Sequence, residues 1–520
     1  MSVDAISLGV FRNLFTSVAE EMGLTLQRAS FSPNIKERQD FSCAVFDPRG
    51  QMVAQAAHIP VHLGSMPASV KSALNSFPVI HPQDVILLND PYRGGTHLPD
   101  ITMVSPVFTD GQLRFFVASR AHHADVGGMS PGSLPLSTEL YQEGLIIPPV
   151  KLSQGGAINQ DLLNLIIANT RAPQEREADL QAQLAAQRVG TNRLVEMINK
   201  SGSRIVQEHA LALLAYSQKM IESIIASIPP GNYHFQDSLE GIPPDKEPIP
   251  IRVKISIQGS TMTVDFGGSS PQVFGNLNAV VSVVESATWY CIRLLSKDDI
   301  PMNQGCFQPI KVLVPPHSVL NPDFPAAVAA GNVETSQRIV DVVLGALSKA
   351  LPERIPAASQ GTMNNITLGG THQGGAFVFY ETIAGGHGAN PEGDGISGRH
   401  SHMTNTRNTP IESIEQNLPL QILAYQLREG SGGEGKYRGG MGIKRTYQFL
   451  SPAAVTINSD RRNNPPYGLQ GGTPGKVGSN RLLREGEEIQ LDSKVSLQVQ
   501  AGDILIIETP GGGGWGERAG

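Results

Sequence analysis

Apolar residues recur every four positions at the start of the chain: Ile6, Val10, Leu14, Val18 and Met22. That spacing predicts a helix over 4–26, with Asp4 near its start. The pattern then shortens to strands. "FSCAVFD" and "GQMVAQ" flank the turn "PRG". "HIPVHLGSMPASVKSALNSF" begins as a loop and becomes a helix. "DVILLND" holds a continuous apolar run, as a buried strand does. "ITMVSPVF" and "LRFFVASRAHHAD" read as a strand pair about the turn "TDG". Residues 158–228 hold few Gly or Pro and read as helices. Strands return over 231–275, and two helices are expected at 278–296 and 335–351. From about 355 the chain is Gly-rich and β-rich, ending in "AGDILIIETPGGGGWG".

These shifts divide the chain into a first α+β region (1–155), a helical subdomain (156–230), a second α+β region (231–354) and a Gly-rich β region (355–520). Helical and strand segments are segregated rather than alternating. The expected fold class is therefore α+β, with multiple mostly antiparallel sheets, a helical insertion and several subdomains in one chain.

Composition narrows the function classes. The 520 residues are 40% hydrophobic and 17% charged, enough apolar content for a large core. The net charge is -7 and no basic tract stands out, which argues against a nucleic-acid partner. No run of about 18 apolar residues predicts a membrane span. "MSVDAISLGVFRNLF" lacks the basic and apolar regions of a signal peptide. The three cysteines, Cys43, Cys291 and Cys306, make neither a disulfide framework nor a CxxC zinc site. A cytoplasmic location is the expectation. Gly (55) and Pro (37) are abundant and fall between short strands, which predicts tight turns and close backbone packing.

Candidate chemistry begins at "DPYRGGTHLPD", residues 90–100, where His97 and Asp100 stand three apart on Pro-stiffened backbone. The next strand ends in "SRAHHADVGG", which supplies His122, His123 and Asp125. Two neighbouring strands, one starting after His97 and one ending at His122, can bring His97, Asp100 and His122 together. Two imidazoles and a carboxylate suit zinc, manganese or iron. His122 and His123 point to opposite faces of a strand, so one of them is expected to ligate. The other reading has these histidines capping turns in a Gly-rich region, and spacing alone leaves both open. His58 and His62 in "HIPVH" form a further pair, without helical i, i+4 geometry because of Pro60.

A second polar cluster, "GGHGANPEGDGISGRHSHMTNTRNTPIESIE" (385–415), shows no strand or helix pattern. Its Arg399, His400, His402 and Arg407 are candidate substrate-binding residues. Ile396, Met403 and Ile411 look like anchors that would order it; the alternative is an ordered loop at a subunit interface. "GSGGEGKY" fits a phosphate-binding loop by spacing, but Tyr437 replaces the needed hydroxyl and a strand is expected next. "TPGGGGWG" is expected to pass through a tight interior position, with Trp515 as an anchor.

The chain resembles the hydantoinase B/oxoprolinase family at "NIKERQDFSCAVFD", "HIPVHLGSM", "GGTHLPDIT", "ASRAHHADVGGMSPGS", "GNVETSQRIVDVVLGAL", "HSHMTNTR" and "GGGGWG". The family includes the B-type subunits of ATP-dependent N-methylhydantoinases and the C-terminal half of 5-oxoprolinase. The resemblance covers essentially the full length. It implies one divalent metal (Mn, Zn or Fe) on His97, Asp100 and His122. It places His123, Asp125, His58 and His62 near an active site, the first three as catalytic candidates. It implies a hydantoinase A-type subunit that binds ATP and Mg and phosphorylates the amide oxygen, hence a hetero-oligomer. The implied activity is hydrolytic opening of 5-oxoproline or a hydantoin. The alternatives are the large metal-binding subunit of an acetone-type ketone carboxylase, and a non-catalytic scaffold for a kinase-like partner.

Overall fold

The computed structural model describes residues 3–56, 59–244, 246–296 and 299–518. Its centre is a seven-stranded sheet built from β1 (Phe41–Phe46), β2 (Met52–Gln55), β3 (Val85–Leu88), β4 (Asp100–Thr109), β5 (Gln112–His122), β6 (Val150–Gln154) and β7 (Ala157–Ile158), in the order β2-β1-β5-β4-β3-β6-β7. All six residues of β1 are buried. Alternation explains how: Phe41, Cys43 and Val45 enter one apolar cluster, Ala44 and Phe46 another.

The first cluster is closed by α1 (Ala5–Ala29), α5 (Pro173–Ser201) and α6 (Ser203–Ala226). Asp4 caps α1, accepting from Ser7 N at 2.8 Å. The buried face of α1 is Phe11, Phe15, Val18, Met22 and Leu26, while Ile6 is 83% and Val10 51% exposed. Strict four-residue spacing walks about 40° per step around a 3.6-residue helix, so the expected stripe drifts off the core-facing side. α4 (Gln160–Ala168) precedes α5, and the short α2 (Pro33–Lys36) leads into β1. α5 lies across β4 and β5. Gln183 and Gln187 donate from it to the carbonyls of Ile101 and Met103, at 3.1 and 3.0 Å.

The opposite sheet face is covered by α3 (His62–Ser76); α7 (Val281–Arg293) packs on α3, and α8 (Ser336–Ala350) on α7. α8 also packs on a second sheet, β11-β10-β9-β8, made of β8 (Gly231–Leu239), β9 (Ile249–Gln258), β10 (Thr261–Asp265) and β11 (Ile310–Leu313). A π turn over Gly331–Thr335 leads into α8. Two further sheets share a third apolar core. One, ordered β13-β12-β16-β19, uses β12 (Asn365–His372), β13 (Gly375–Thr382), β16 (Ala453–Asn458) and β19 (Lys494–Val499). The other, β14-β15-β20-β17-β18, uses β14 (Leu420–Arg428), β15 (Gly442–Phe449), β17 (Ser479–Arg484), β18 (Glu487–Leu491) and β20 (Ile504–Glu508). Among the described strands every ladder is antiparallel except β10 with β11. The expected α+β fold of several antiparallel sheets is what the chain adopts.

The 385–415 loop differs in detail from its pattern. Met403 is buried as expected, but Ile396 is 49% exposed, and a short helix, α9 (Ile411–Asn417), begins after Pro410. Residues 430–441 lead into β15 and not into a helix, so no helix N-terminus stands behind that Gly-rich turn. The closing glycines are buried with Trp515 at 6% exposure. A Cβ on Gly512 would lie 1.9 Å from His387 O, and one on Gly439 1.9 Å from Gly512 O. Only glycine lets these segments pack backbone on backbone. No described helix is long and apolar enough to cross a membrane.

Candidate metal centre

Register places Asp100, the first residue of β4, directly opposite His122, the last of β5. His97 comes from the preceding turn, closed by Asp100 N donating to His97 O at 3.1 Å. Three donor atoms converge. His97 Nε2 lies 3.3 Å from His122 Nδ1 and 3.3 Å from Asp100 Oδ1, and His122 Nδ1 lies 3.1 Å from the same oxygen. Donors about 2.0–2.2 Å from a tetrahedral cation are separated by roughly 3.3–3.6 Å, so the set fits a divalent ion. All three side chains are buried. Together they could hold a metal ion.

Neighbours fix these donors in place. Ala329 O lies 3.2 Å from His97 Nδ1, which puts the proton there and leaves the lone pair on Nε2. Asp100 Oδ2 accepts from Thr96 Oγ1 at 2.6 Å and lies 3.4 Å from His62 Nε2. His62 Nδ1 is held by Ser42 Oγ at 2.9 Å. Oδ2 is thus occupied, and Oδ1 faces the imidazoles. Burial pushes Asp100 towards protonation, but the charges of His97 and His62, with hydrogen bonds from His122 and His62, hold its carboxyl well below the usual range. Burial opposes charge on His97 as well, yet the Asp100 carboxylate outweighs it and raises the imidazole. On His122 burial prevails and the pKa falls.

The other sequence candidates separate. His123 is turned to α5, with Nε2 2.9 Å from Gln183 Oε1, and burial together with the Arg176 charge lowers it to about 4. Asp125 is a turn organiser. Its carboxylate accepts from the backbone N–H of Gly127, Gly132 and Arg171 and pairs with the Arg171 guanidinium at 2.9 Å. The structure does not bring these two to the three donors. His58 lies outside the described residues. In the 385–415 loop, Arg399 and Arg407 are exposed. His400 and His402 are pushed down to about 3, burial being the main cause for both, with the Arg38 charge acting on His400. Arg38 ties this loop to the centre: its backbone carbonyl accepts from Arg407 N, and its guanidinium lies 4.8 Å from the Tyr380 ring, which stacks on His122 at 4.6 Å.

Sequence reasoning passed over Asp40, Thr96, Tyr380 and Asn332. Asp40 precedes β1; its carbonyl accepts from His122 N at 3.0 Å, and its charge acts on both His97 and His122. Asn332 reaches in from the π turn, with Nδ2 3.1 Å from His97 Nε2. Asp40, Tyr380 and Asn332 arrive through non-local packing, which no local pattern signals; Thr96, beside His97 and four residues from Asp100, was within reach of the sequence.

A family model described as hydantoinase B/oxoprolinase matches residues 4–518. An uncharacterised protein of Methanocaldococcus jannaschii is 44% identical over 99% of this chain and 91% of its own length. The 5-oxoprolinase 1 of Arabidopsis thaliana is 41% identical over 99% of this chain, which spans only 42% of that longer protein. The B-type subunit of a putative D-/L-hydantoinase from a Pseudomonas species is 32% identical over 99% of this chain and 90% of its own. The crystal structure of an ATP-dependent caprolactamase from Pseudomonas jessenii superposes with a TM-score of 0.93 at 28% identity, covering 99% of this chain and 92% of that one. The chain belongs to the hydantoinase B/oxoprolinase family.

Proposed function

We propose that this chain is the B-type subunit of an ATP-dependent cyclic amidohydrolase that opens 5-oxoproline or a hydantoin. The observation that carries the reading is the convergence of His97 Nε2, His122 Nδ1 and Asp100 Oδ1 at one end of the central sheet, 3.1–3.3 Å apart. A divalent cation there, manganese, zinc or iron, would lower the pKa of a bound water to near neutrality and supply hydroxide. The chain's own residues prepare the place. Ala329 fixes the His97 tautomer, while Thr96 and His62 hold Asp100 with one oxygen free. Tyr380 and the buried surroundings keep bulk water away.

A ring amide is a poor electrophile because of resonance, and phosphorylating its oxygen activates the ring carbon. That step needs ATP. Residues 430–441 offer no strand–loop–helix phosphate loop, and we assign ATP to a partner of the A type. Two comparisons support the division: one relative bears the name of a B-type hydantoinase subunit, and 5-oxoprolinase 1 carries more than half of its length beyond the part matched here. The test is ADP release with 5-oxoproline or hydantoin by the chain reconstituted with such a partner. His97→Ala and Asp100→Ala are expected to abolish cyclic-amide turnover while the partner still binds ATP. Full activity in both variants would refute the reading.

A further inference from the structure

We propose that Asn332 orients the amide group of the substrate at the open side of the metal centre, a role that rests on the function proposed above. Asn332 sits in the π turn Gly331–Thr335, and such turns are frequent at functional sites. The turn has specific supports. A Cβ on Gly331 would lie 1.8 Å from Asn278 O, and Ser336 Oγ donates to Asn332 O at 2.7 Å. The result is a carboxamide only 4% exposed, with Nδ2 3.1 Å from His97 Nε2 and 3.5 Å from Asp100 Oδ2.

That position creates a conflict. His97 Nδ1 faces the Ala329 carbonyl and carries the proton, so Nε2 offers a single lone pair. Asn332 Nδ2–H and a cation both require it, and one lone pair serves one of them. A cation on the three donors therefore releases Nδ2. The other half of the carboxamide, Oδ1, is buried with no hydrogen-bond partner among the described residues. A buried carboxamide oxygen left unpaired is unfavourable and calls for a donor.

Other side chains that hydrogen-bond to the donor set are committed. Thr96 Oγ1 is spent on Asp100, and His62 bridges Asp100 and Ser42. Asn34 donates to His122 O, and its oxygen accepts from Arg38. Among these side chains Asn332 alone brings a free acceptor and a releasable donor to the three donors. Phosphorylation of the ring amide on oxygen consumes the carbonyl and leaves the proton on the ring nitrogen of an O-phosphoryl imidate cation, a strong N–H donor. Oδ1 of Asn332 accepts that ring N–H and so sets the activated ring carbon towards the metal centre.

The experiment compares the parent, Asn332→Ala and Asn332→Asp, each checked for a parent-like circular dichroism spectrum and melting profile. Co²⁺ titration, followed by calorimetry and by the visible spectrum of the bound ion, reads the metal centre apart from turnover. Turnover is then measured with the ATP-binding partner and 5-oxoproline or hydantoin. Asn332→Ala is expected to bind Co²⁺ at least as tightly as the parent, because the cation no longer displaces a hydrogen bond. Its turnover is expected to fall about 100-fold, the scale of losing one oriented polar contact in an active site. Asn332→Asp keeps an acceptor in place and is expected to retain about tenfold more turnover than Asn332→Ala. Turnover of Asn332→Ala within twofold of the parent, equal losses in the two variants, or Co²⁺ affinity falling in step with turnover would each overturn the role. A parent chain that takes up no Co²⁺ removes the proposed function, and this role with it.

Discussion

Burial alone would drive the Asp100 carboxyl to take up a proton, and the imidazoles of His97, His62 and His122 reverse that tendency. His62 is one of them, and it touches the far oxygen. Removing it leaves Oδ2 held by Thr96 and the longer contact from Asn332 Nδ2, and loosens the carboxylate. His62→Ala is expected to weaken metal binding by roughly 10–100-fold, with the three donors still present; a competitive chelator titration measures it. Glu334 behaves in the opposite sense. Burial, aided by the Asp460 charge, raises its carboxyl from 4.5 to about 7. A folded pKa above the unfolded one favours the neutral carboxyl, so its stabilisation is complete below about pH 4.5 and is lost as pH rises to about 7. Glu334→Gln lacks this titration. Its melting temperature relative to the parent is expected to climb between pH 4.5 and 7, and a constant difference would contradict the assignment. At this scale the sequence was readable where chain neighbours do the work. His97 and Asp100 share a turn, and His122 follows from strand pairing. His123 and Asp125 are just as near in sequence. Strand alternation turns the first to Gln183, and the second is consumed by backbone N–H groups.

Elements explain why the donors meet. The antiparallel β4–β5 ladder brings the start of one strand to the end of the other, and β1 runs alongside so that Asp40 falls beside His122. That arrangement was legible, since two apolar runs around a tight turn specify a hairpin. The π turn before α8 was not, because propensity carries no sign of an inserted residue. The Gly-rich C-terminal segments lie between these cases: their composition announces close packing without naming the partner strands. Gly512→Ala would drive a methyl group to 1.9 Å from His387 O, backbone that cannot swing aside. It is expected to destabilise the chain by about 3 kcal/mol or more, read as a lower denaturant midpoint. Gly486, with nothing within 4 Å of its Cβ, sits at φ +84° and should lose less on the same substitution.

Across the whole molecule, a buried ionic network joins the second sheet to the C-terminal sheets. Arg338 of α8 donates to Asp237 of β8 at 2.7 Å and to Asp460 at 2.8 Å; Arg461 pairs with Asp237 at 2.7 Å and with Asp341. Lys494 reaches Asp460 from β19 at 3.1 Å. Removing one partner strands buried carboxylates, so Arg338→Met is expected to cost about 3–5 kcal/mol, as a fall in melting temperature. No sequence window could reveal this junction, since Arg338 lies more than 100 residues from both Asp237 and Asp460. The network ties α8, which the π turn leads into, to β8 and to the segments at β16 and β19. The most direct test is elemental analysis of the purified chain beside His97→Ala and Asp100→Ala. The account predicts about one divalent metal per parent chain, retained on gel filtration and lost from both variants. A parent chain without metal that still supports cyclic-amide turnover with its partner would contradict it.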